Sequence, residues 1–139
     1  MSKKWSLFSL VLLLAIVLFG CPAAGSGSPP SPFGTWAMGV ITVDGTNFTS
    51  GVFTVNANGT FTTSYTIVAS PGTQAGTFSP ASLPENTDIT LTIVSGSGVY
   101  PGNGASWFLK YNTLTATTVQ AYMDLSANGF EGPFTFVRQ

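Results

Sequence analysis

The stretch Phe61-Thr62-Thr63-Ser64-Tyr65-Thr66-Ile67 alternates large apolar side chains with small hydroxyl side chains. Successive side chains of a β-strand point to opposite faces of a sheet, so Phe61, Tyr65 and Ile67 share one face. The same alternation returns at 89–93 and at 134–136. Such a pattern is typical of an antiparallel sheet with one dry face and one solvated face, and no stretch after residue 32 has helical spacing.

Pairs of turn residues separate these stretches. Asp44-Gly45, Asn58-Gly59 and Asn128-Gly129 are pairs that tolerate the positive φ angles of tight hairpins. Ser70-Pro71-Gly72 and the segment 101–104 are rich in Pro and Gly and predict longer loops. The chain after residue 32 is therefore expected to consist of strands joined by hairpins.

Alternation and turns together predict eight strands, near residues 35–43, 48–56, 60–69, 74–79, 87–95, 105–111, 113–122 and 130–138. Hairpin-joined strands without helical crossovers most simply form an all-β, antiparallel up-and-down eight-stranded barrel. A β-sandwich is the alternative. We favour the barrel because closure removes exposed edges, which a Thr-rich sheet with few charges protects poorly.

The first residues have the organisation of an export signal. Lys3 and Lys4 precede an apolar run, 5–19, that is shorter than the roughly 20 residues of a spanning helix. The sequence Leu18-Phe19-Gly20-Cys21 then resembles the lipobox of bacterial lipoproteins, with Leu18 and Gly20 matching and Phe19 larger than usual. The resemblance implies cleavage of a signal peptide, 1–20, and a lipid such as palmitate on Cys21. An ordinary secretory signal and an uncleaved membrane helix are the alternatives.

The segment after Cys21 is expected to be a flexible linker. Residues 22–32 are Pro, Gly, Ser and Ala, with no large apolar side chain that could compensate the entropy of ordering. We therefore divide the chain into a signal peptide at 1–20, a lipid-anchored linker at 21–32 and a barrel domain at 33–139. The expected location is the bacterial cell envelope, with the protein membrane-anchored through Cys21 and the outer membrane or cell surface favoured over the inner membrane.

Composition argues against several classes of function. Without the signal peptide, the 139-residue chain keeps two basic and five acidic residues, a net charge of −3, so a nucleic-acid partner is not expected. The chain has no histidine and one cysteine, which leaves no base for a Ser-His-Asp triad and none of the usual zinc ligand sets. Lys110 is predicted to face solvent, and Asp124 and Glu131 are predicted to be solvated residues beside a turn. We expect no enzyme activity, no metal and no cofactor.

The two ends of the predicted barrel domain carry a second resemblance. It begins with Gly34-Thr35-Trp36 and ends with Phe134-Thr135-Phe136-Val137-Arg138, a layout similar to lipocalin-like (calycin-type) small barrels. In that superfamily the arginine of the last strand packs over the tryptophan of the first. The resemblance implies that Trp36 and Arg138 close one end of the barrel through a cation–π contact of about 1–2 kcal/mol.

An eight-stranded barrel is either filled by its own side chains or holds one small ligand. Two functions therefore stay open: a non-catalytic interaction or structural module, and a lipocalin-like carrier of a small apolar ligand. A carrier requires a cavity of about 300 Å³ or more. An interaction module instead requires an exposed apolar patch for a protein partner, for which Val99-Tyr100-Pro101 is the candidate. The candidate cavity residues are Met38, Phe53, Phe61, Tyr65, Trp107, Tyr111, Phe134 and Phe136.

Overall fold

The computed structural model describes residues 28–98 and 104–139. The predicted signal peptide, Cys21 and Tyr100 lie outside these residues. The described chain forms nine β-strands: β1 (Gly34–Met38), β2 (Ile41–Val43), β3 (Thr46–Val55), β4 (Thr60–Ile67), β5 (Ser70–Ser79), β6 (Ile89–Ser97), β7 (Ser106–Leu114), β8 (Thr118–Asp124) and β9 (Glu131–Arg138).

The strands close into a barrel. From β3 to β9 each strand pairs antiparallel with the next, and β1 pairs with both β9 and β3. Strands β1 and β2 both pair with β3 and are separated only by Gly39 and Val40, so they are two parts of one bent first strand. The fold is therefore a closed eight-stranded antiparallel barrel. The predicted all-β barrel is confirmed, and the chain does not form the alternative sandwich.

The connections differ in part from the predicted turns. Asp44-Gly45 is a two-residue turn with positive φ at both positions, 50° and 74°. The β3–β4 and β8–β9 connections, which contain Asn58-Gly59 and Asn128-Gly129, are longer than tight hairpins. They span residues 56–59 and 125–130. The predicted turn pairs therefore lie in connections, but only the first makes a two-residue hairpin.

The loop predicted at Ser70-Pro71-Gly72 is wrong, because these residues begin β5 and pair with β4. The turn lies at Val68-Ala69 instead, where φ is 55° and 141°. Gly72 is required for close packing and not for a turn. A Cβ added there would lie 2.4 Å from the ring of Tyr65, so the glycine allows the ring to lie over the strand.

The two ends of the barrel can be named from the chain path. The tether end is where β1 begins, β9 ends, and the β3–β4, β5–β6 and β7–β8 connections lie. The far end holds the β2–β3 turn, the β4–β5 turn and the β8–β9 connection. Residues 28–33 therefore approach the barrel at its tether end.

The barrel interior is the hydrophobic core. A bulge in β3 between Phe48 and Ser50 shifts the strand register by one residue. Because of this shift, Phe48 and Phe53 both contribute to the interior although they are five positions apart. Strict alternation would place them on opposite faces. The largest fully buried side chains are Phe48, Phe61, Ile89, Leu91, Ile93 and Val43.

Candidate functional site

A cation–π contact and a set of hydrogen bonds lie at the tether end. Arg138 pairs with Trp36 in the β1–β9 ladder, and the centre of its guanidinium lies 4.2 Å from the indole ring. The same guanidinium donates hydrogen bonds to the carbonyl oxygens of Phe33 (3.2 Å) and Ser31. The Trp36 Nε1–H donates to the carbonyl oxygen of Pro32 at 2.9 Å. Residues 31–33 are thus held against the barrel.

The β5–β6 connection, residues 80–88, also covers the tether end, and we call it the strap. Its Leu83 is a core residue with only 5% of its surface exposed. The hydroxyl of Tyr111 donates to the Leu83 carbonyl oxygen at 2.7 Å, and the Asn86 N–H donates to the Tyr111 carbonyl oxygen at 2.8 Å. Leu83 has a φ of 48°, a left-handed conformation that is uncommon for leucine. The strap is therefore fixed by Tyr111 on β7.

The hydroxyl that holds the strap is kept protonated. Burial raises the pKa of Tyr111 above its usual value of 10.0, and the negative charge of Glu85 in the strap raises that pKa further. At neutral pH the phenol is therefore the hydrogen-bond donor that the Leu83 carbonyl requires. The contact depends on a neutral side chain.

A small apolar cavity lies inside the barrel and has a volume of about 60 Å³. Its walls run from Pro32 and Leu83 at the tether end to Ile41 and Phe48 near the far end. Five of the eight predicted cavity residues line it: Met38, Phe53, Trp107, Tyr111 and Phe136.

The other three predicted cavity residues lie elsewhere in the core. Phe61 and Tyr65 are buried, and Phe134 is half-buried and packs against the buried cluster. Phe61 stacks on Phe53 with ring centres 5.4 Å apart. These aromatic rings fill the interior space that the sequence left open for a ligand.

Aromatic packing fills the part of the interior next to the far end. Phe48, Tyr65 and Trp107 form a triangle with ring centres 5.7, 6.3 and 6.4 Å apart. The Phe48–Tyr65 and Phe48–Trp107 pairs meet edge to face, an arrangement that aromatic rings favour. Together with the Phe53–Phe61 stack, this triangle explains why so little space is left inside the barrel.

Few polar groups face this interior. Thr63 lines the cavity, and Gln74 Nε2 donates to the Tyr65 hydroxyl at 3.4 Å. Trp107 also lines the cavity and is 2% exposed, and its Nε1–H has no acceptor among the described residues. A buried donor without a partner is uncommon in folded proteins. The cavity is thus lined almost entirely by apolar side chains, and one lining residue, Trp107, has a buried N–H without an acceptor in the described part of the chain.

The charged residues considered for chemistry have other roles. Lys110 Nζ lies 2.7 Å from the carboxylate of Asp88 and 4.8 Å from the centre of the Phe130 ring. The prediction that Asp124 is solvated is wrong, because this residue is buried. Its carboxylate accepts hydrogen bonds from the backbone N–H groups of three residues in the β8–β9 connection, Ser126, Asn128 and Gly129. Asp124 therefore shapes a connection that has no ladder partners.

Sequence reasoning missed two kinds of site residue. Leu83 lies in a connection, where no alternation marks a core position. Phe48 was hidden by the bulge, which reverses the face of the strand between Phe48 and Phe53. The available sign that Phe48 is a core residue was its large aromatic side chain close to a predicted turn. For Leu83 the signal was that it is the single large apolar residue in a polar segment.

No protein-family model, no curated protein and no solved structure matches this chain. The described residues include no helix that is long and apolar enough to cross a membrane. Within the same residues, no three acidic, His or Cys side chains come close enough together to hold a metal ion. The class of protein that the fold defines is a small closed antiparallel β-barrel.

Proposed function

We propose that this protein is a lipid-anchored, non-catalytic module of the bacterial cell envelope that binds a partner through its outer surface. The observation that carries the proposal is the filled interior. A cavity of about 60 Å³ is one fifth of the roughly 300 Å³ that a drug-sized ligand occupies. The barrel wall and ends are therefore the surfaces through which the module acts.

The sequence before the barrel supports the anchor. Leu18-Phe19-Gly20-Cys21 resembles a lipobox, and two or more acyl chains on one cysteine give a stable membrane attachment. Because the Ser31 and Pro32 carbonyls are bound at the tether end, the free linker covers about ten residues, with a typical reach of roughly 17 Å. The tether end then lies next to the membrane and the far end points away from it.

The far end carries the exposed apolar side chains that a protein partner would cover. Val68, in the β4–β5 turn, is 70% exposed, and Val40, in the bend between β1 and β2, is 71% exposed. The pairings Ile41–Phe48 and Phe48–Ile67 place the two valines beside three adjacent strands. The described connections at this end contain no Lys or Arg, so the partner surface is expected to be apolar and neutral or basic.

The anchor is tested by metabolic labelling with palmitate and by membrane fractionation. Labelling should be lost in Cys21→Ala and retained in Ser26→Ala, a change in the linker that leaves the lipobox intact. Full labelling of Cys21→Ala, or membrane association without label, would contradict a lipid on Cys21.

The surface is tested by placing a photo-crosslinking residue at single positions in cells. Val40 and Val68 should give crosslinked partner bands, while Thr62, an exposed residue of the barrel wall, should not. The double variant Val40→Asn/Val68→Asn should lose the partner and keep palmitate labelling. Equal crosslinking at Thr62 and Val68 would show that the far end is not a binding surface.

Carriage of a small apolar ligand is the second candidate, and the observation in its favour is that Trp107, which lines the cavity, has a buried N–H without an acceptor among the described residues. The cavity volume argues against an acyl chain as cargo. Titration with a long-chain fatty acid should leave the tryptophan fluorescence of the protein unchanged. Saturable quenching at a one-to-one ratio would favour the carrier over the surface module.

A further inference from the structure

We propose that a groove on the outer wall of the barrel binds a neutral oligosaccharide. The groove has a volume of about 350 Å³ and crosses strands β3 to β6. Five of its lining side chains are hydroxylated and accessible to solvent: Thr54, Thr62, Ser64, Thr73 and Ser95. The proposal goes beyond the partner surface at the far end and needs neither that surface nor the lipid anchor.

The pairing of the strands places these hydroxyl groups in two rows. The first row follows successive partners across the four strands: Thr54, Thr62, Ala75 and Ser95. In the second row Ser64 pairs with Thr73. Adjacent strands are about 5 Å apart, and alternate residues of one strand are about 7 Å apart, so the hydroxyl groups form a regular grid on one face.

Small apolar side chains lie between the hydroxyl groups. Ala75 is the member of the first row without a hydroxyl group, and its short side chain leaves space between Thr62 and Ser95. Val52, which pairs with Ser64, adds a second apolar contact. A sugar ring carries hydroxyl groups around its edge and C–H groups on its two faces. A surface that mixes hydroxyl and methyl groups can therefore contact both parts of the ring.

The hydroxyl groups of the groove are available to a ligand. Thr73 Oγ1 and Ser97 Oγ lie 3.0 Å apart and orient each other at the edge of the groove. The side chains of Thr62, Ser64 and Ser95 form no hydrogen bond with another described residue and are exposed. Each such hydroxyl donates one hydrogen bond and accepts two, so it can exchange water for the hydroxyl group of a sugar.

The absence of charge around the groove defines the ligand as neutral. Strands β3 to β6 contain no Asp, Glu, Lys or Arg, and no charged residue of the described chain lines the groove. Proteins hold carboxylate, sulfate and phosphate groups mainly through Arg and Lys. An acidic sugar would therefore gain nothing here from its charged group.

The size of the groove favours an oligosaccharide over a second copy of the protein. The grid spans roughly 14 Å across the four strands and roughly 7 Å between its rows. A stable protein–protein interface buries about 800 Å² on each partner, several times the area of this strip. A narrow strip with repeated hydroxyl groups matches a short linear chain of sugar rings. Because the groove lies on the wall and at neither end of the barrel, both ends stay free for other contacts.

The site is tested by methyl NMR of the threonine residues in the full-length protein in lipid nanodiscs, with signals assigned by single Thr→Val variants. The probes are cellohexaose, maltohexaose and the hexamer of N-acetylglucosamine, with hexagalacturonate as the acidic comparison. At least one neutral probe should shift the signals of Thr54, Thr62 and Thr73 saturably. Thr77 and Thr92, which pair with each other on the same wall outside the groove, should not shift. Hexagalacturonate should bind more weakly.

The matched variants remove one hydroxyl group each while keeping the shape of the side chain. Thr62→Val and Thr73→Val should each lower the affinity for the bound probe by about 2–10-fold, whereas Thr77→Val and Thr92→Val should leave it unchanged. Ala75→Leu should abolish binding by filling the groove. Since all five residues are at least partly exposed, these variants should fold, and the unshifted Thr signals report whether they do.

The double variant Val40→Asn/Val68→Asn should bind the same probe with unchanged affinity, which separates this site from the far-end surface. The proposal is overturned if none of the three neutral probes causes a saturable shift at millimolar concentration. Equal shifts at Thr77 and Thr62 would also overturn it. Groove signals that move with protein concentration alone would identify a second copy of the chain as the occupant instead.

Discussion

The guanidinium of Arg138, near the end of the last strand, lies 4.2 Å from the centre of the Trp36 ring on the first strand. The contact joins residues that are paired across the closing seam of the barrel. Since the same guanidinium also binds the carbonyl oxygens of Ser31 and Phe33, one side chain holds both the seam and the incoming chain.

Arg138→Ala should therefore lower the free energy of unfolding by about 2–3 kcal/mol, through loss of the cation–π contact and the charged hydrogen bonds. Arg138→Lys should recover only part of this, because an ammonium cannot stack on the ring and donate to two carbonyls at once. Urea denaturation measures both. The control is Lys110→Ala, whose partly exposed ion pair should contribute less than about 1 kcal/mol. Equal losses in Arg138→Ala and Lys110→Ala would contradict a special role for the seam.

Tyr111 predicts a loss of stability at alkaline pH. The pKa of its phenol is raised in the folded state, so the folded protein holds the proton more tightly than the unfolded chain does. The resulting stability is fully present below pH 10 and decreases as the pH rises from there through the folded-state pKa. Urea denaturation at pH 8 and at pH 10.5 should show a steeper loss for the wild-type protein than for Tyr111→Phe.

The difference between the two proteins is the quantity to be compared, because every other group of the chain is the same in both. Parallel loss of stability in both proteins would mean that Tyr111 is not the titrating group. At pH 8, Tyr111→Phe should be about 1–3 kcal/mol less stable, because the buried carbonyl of Leu83 loses its donor.

Gly76 predicts an intolerant position in β5. A Cβ added there would lie 1.9 Å from the carbonyl oxygen of Thr92 on the neighbouring strand, a contact that only backbone movement can relieve. Gly76→Ala should destabilise the barrel by about 3 kcal/mol. Gly39→Ala is the matched control, since no atom lies within 4 Å of its added Cβ, and it should change stability by less than about 0.5 kcal/mol. A thermal melt that separates the two variants by only a degree or two would count against the close approach at Gly76.

Val68 predicts a stabilising substitution. It is a β-branched residue with a φ of 55°, and its side chain is mostly exposed, so it strains the turn without filling the core. Val68→Asn should raise the free energy of unfolding by about 1 kcal/mol, because Asn tolerates this conformation. Val40→Asn, a change at a similarly exposed valine without a positive φ, should be nearly neutral. A loss of stability in Val68→Asn would show that the valine side chain packs more than its exposure indicates.

The barrel was predictable because its determinants are local. Alternation at 61–67 and the glycine-containing turns locate most strands within a few residues, and the few charges favour closure over exposed edges. The failures have one physical cause, which is that a local pattern does not show what a residue contacts across the fold. The local sequence predicts a turn at Gly72, although the residue lies beneath Tyr65. It also predicts a solvated Asp124, although three backbone donors surround its carboxylate.

The interior was less predictable than the wall. Most of the inward-pointing aromatic residues could be predicted from the sequence. Whether they leave space for a ligand depends on the orientation of their rings and on the bulge at Phe48. The strap residue Leu83 completes the cavity from a connection that has no repeating pattern. Cavity volume is a small difference between two large volumes, that of the barrel and that of its side chains, and no property of single residues reports it.

The pairing of β1 with β9 has a consequence for how the chain folds. A ribosome or a secretion channel releases residues in order, so β1 is free about 90 residues before its second partner emerges. Until then its outer edge is unprotected, and the loop that must close is nearly the whole domain, which slows the final step. Truncation of the last eight residues should therefore leave an aggregation-prone open sheet rather than a slightly smaller barrel.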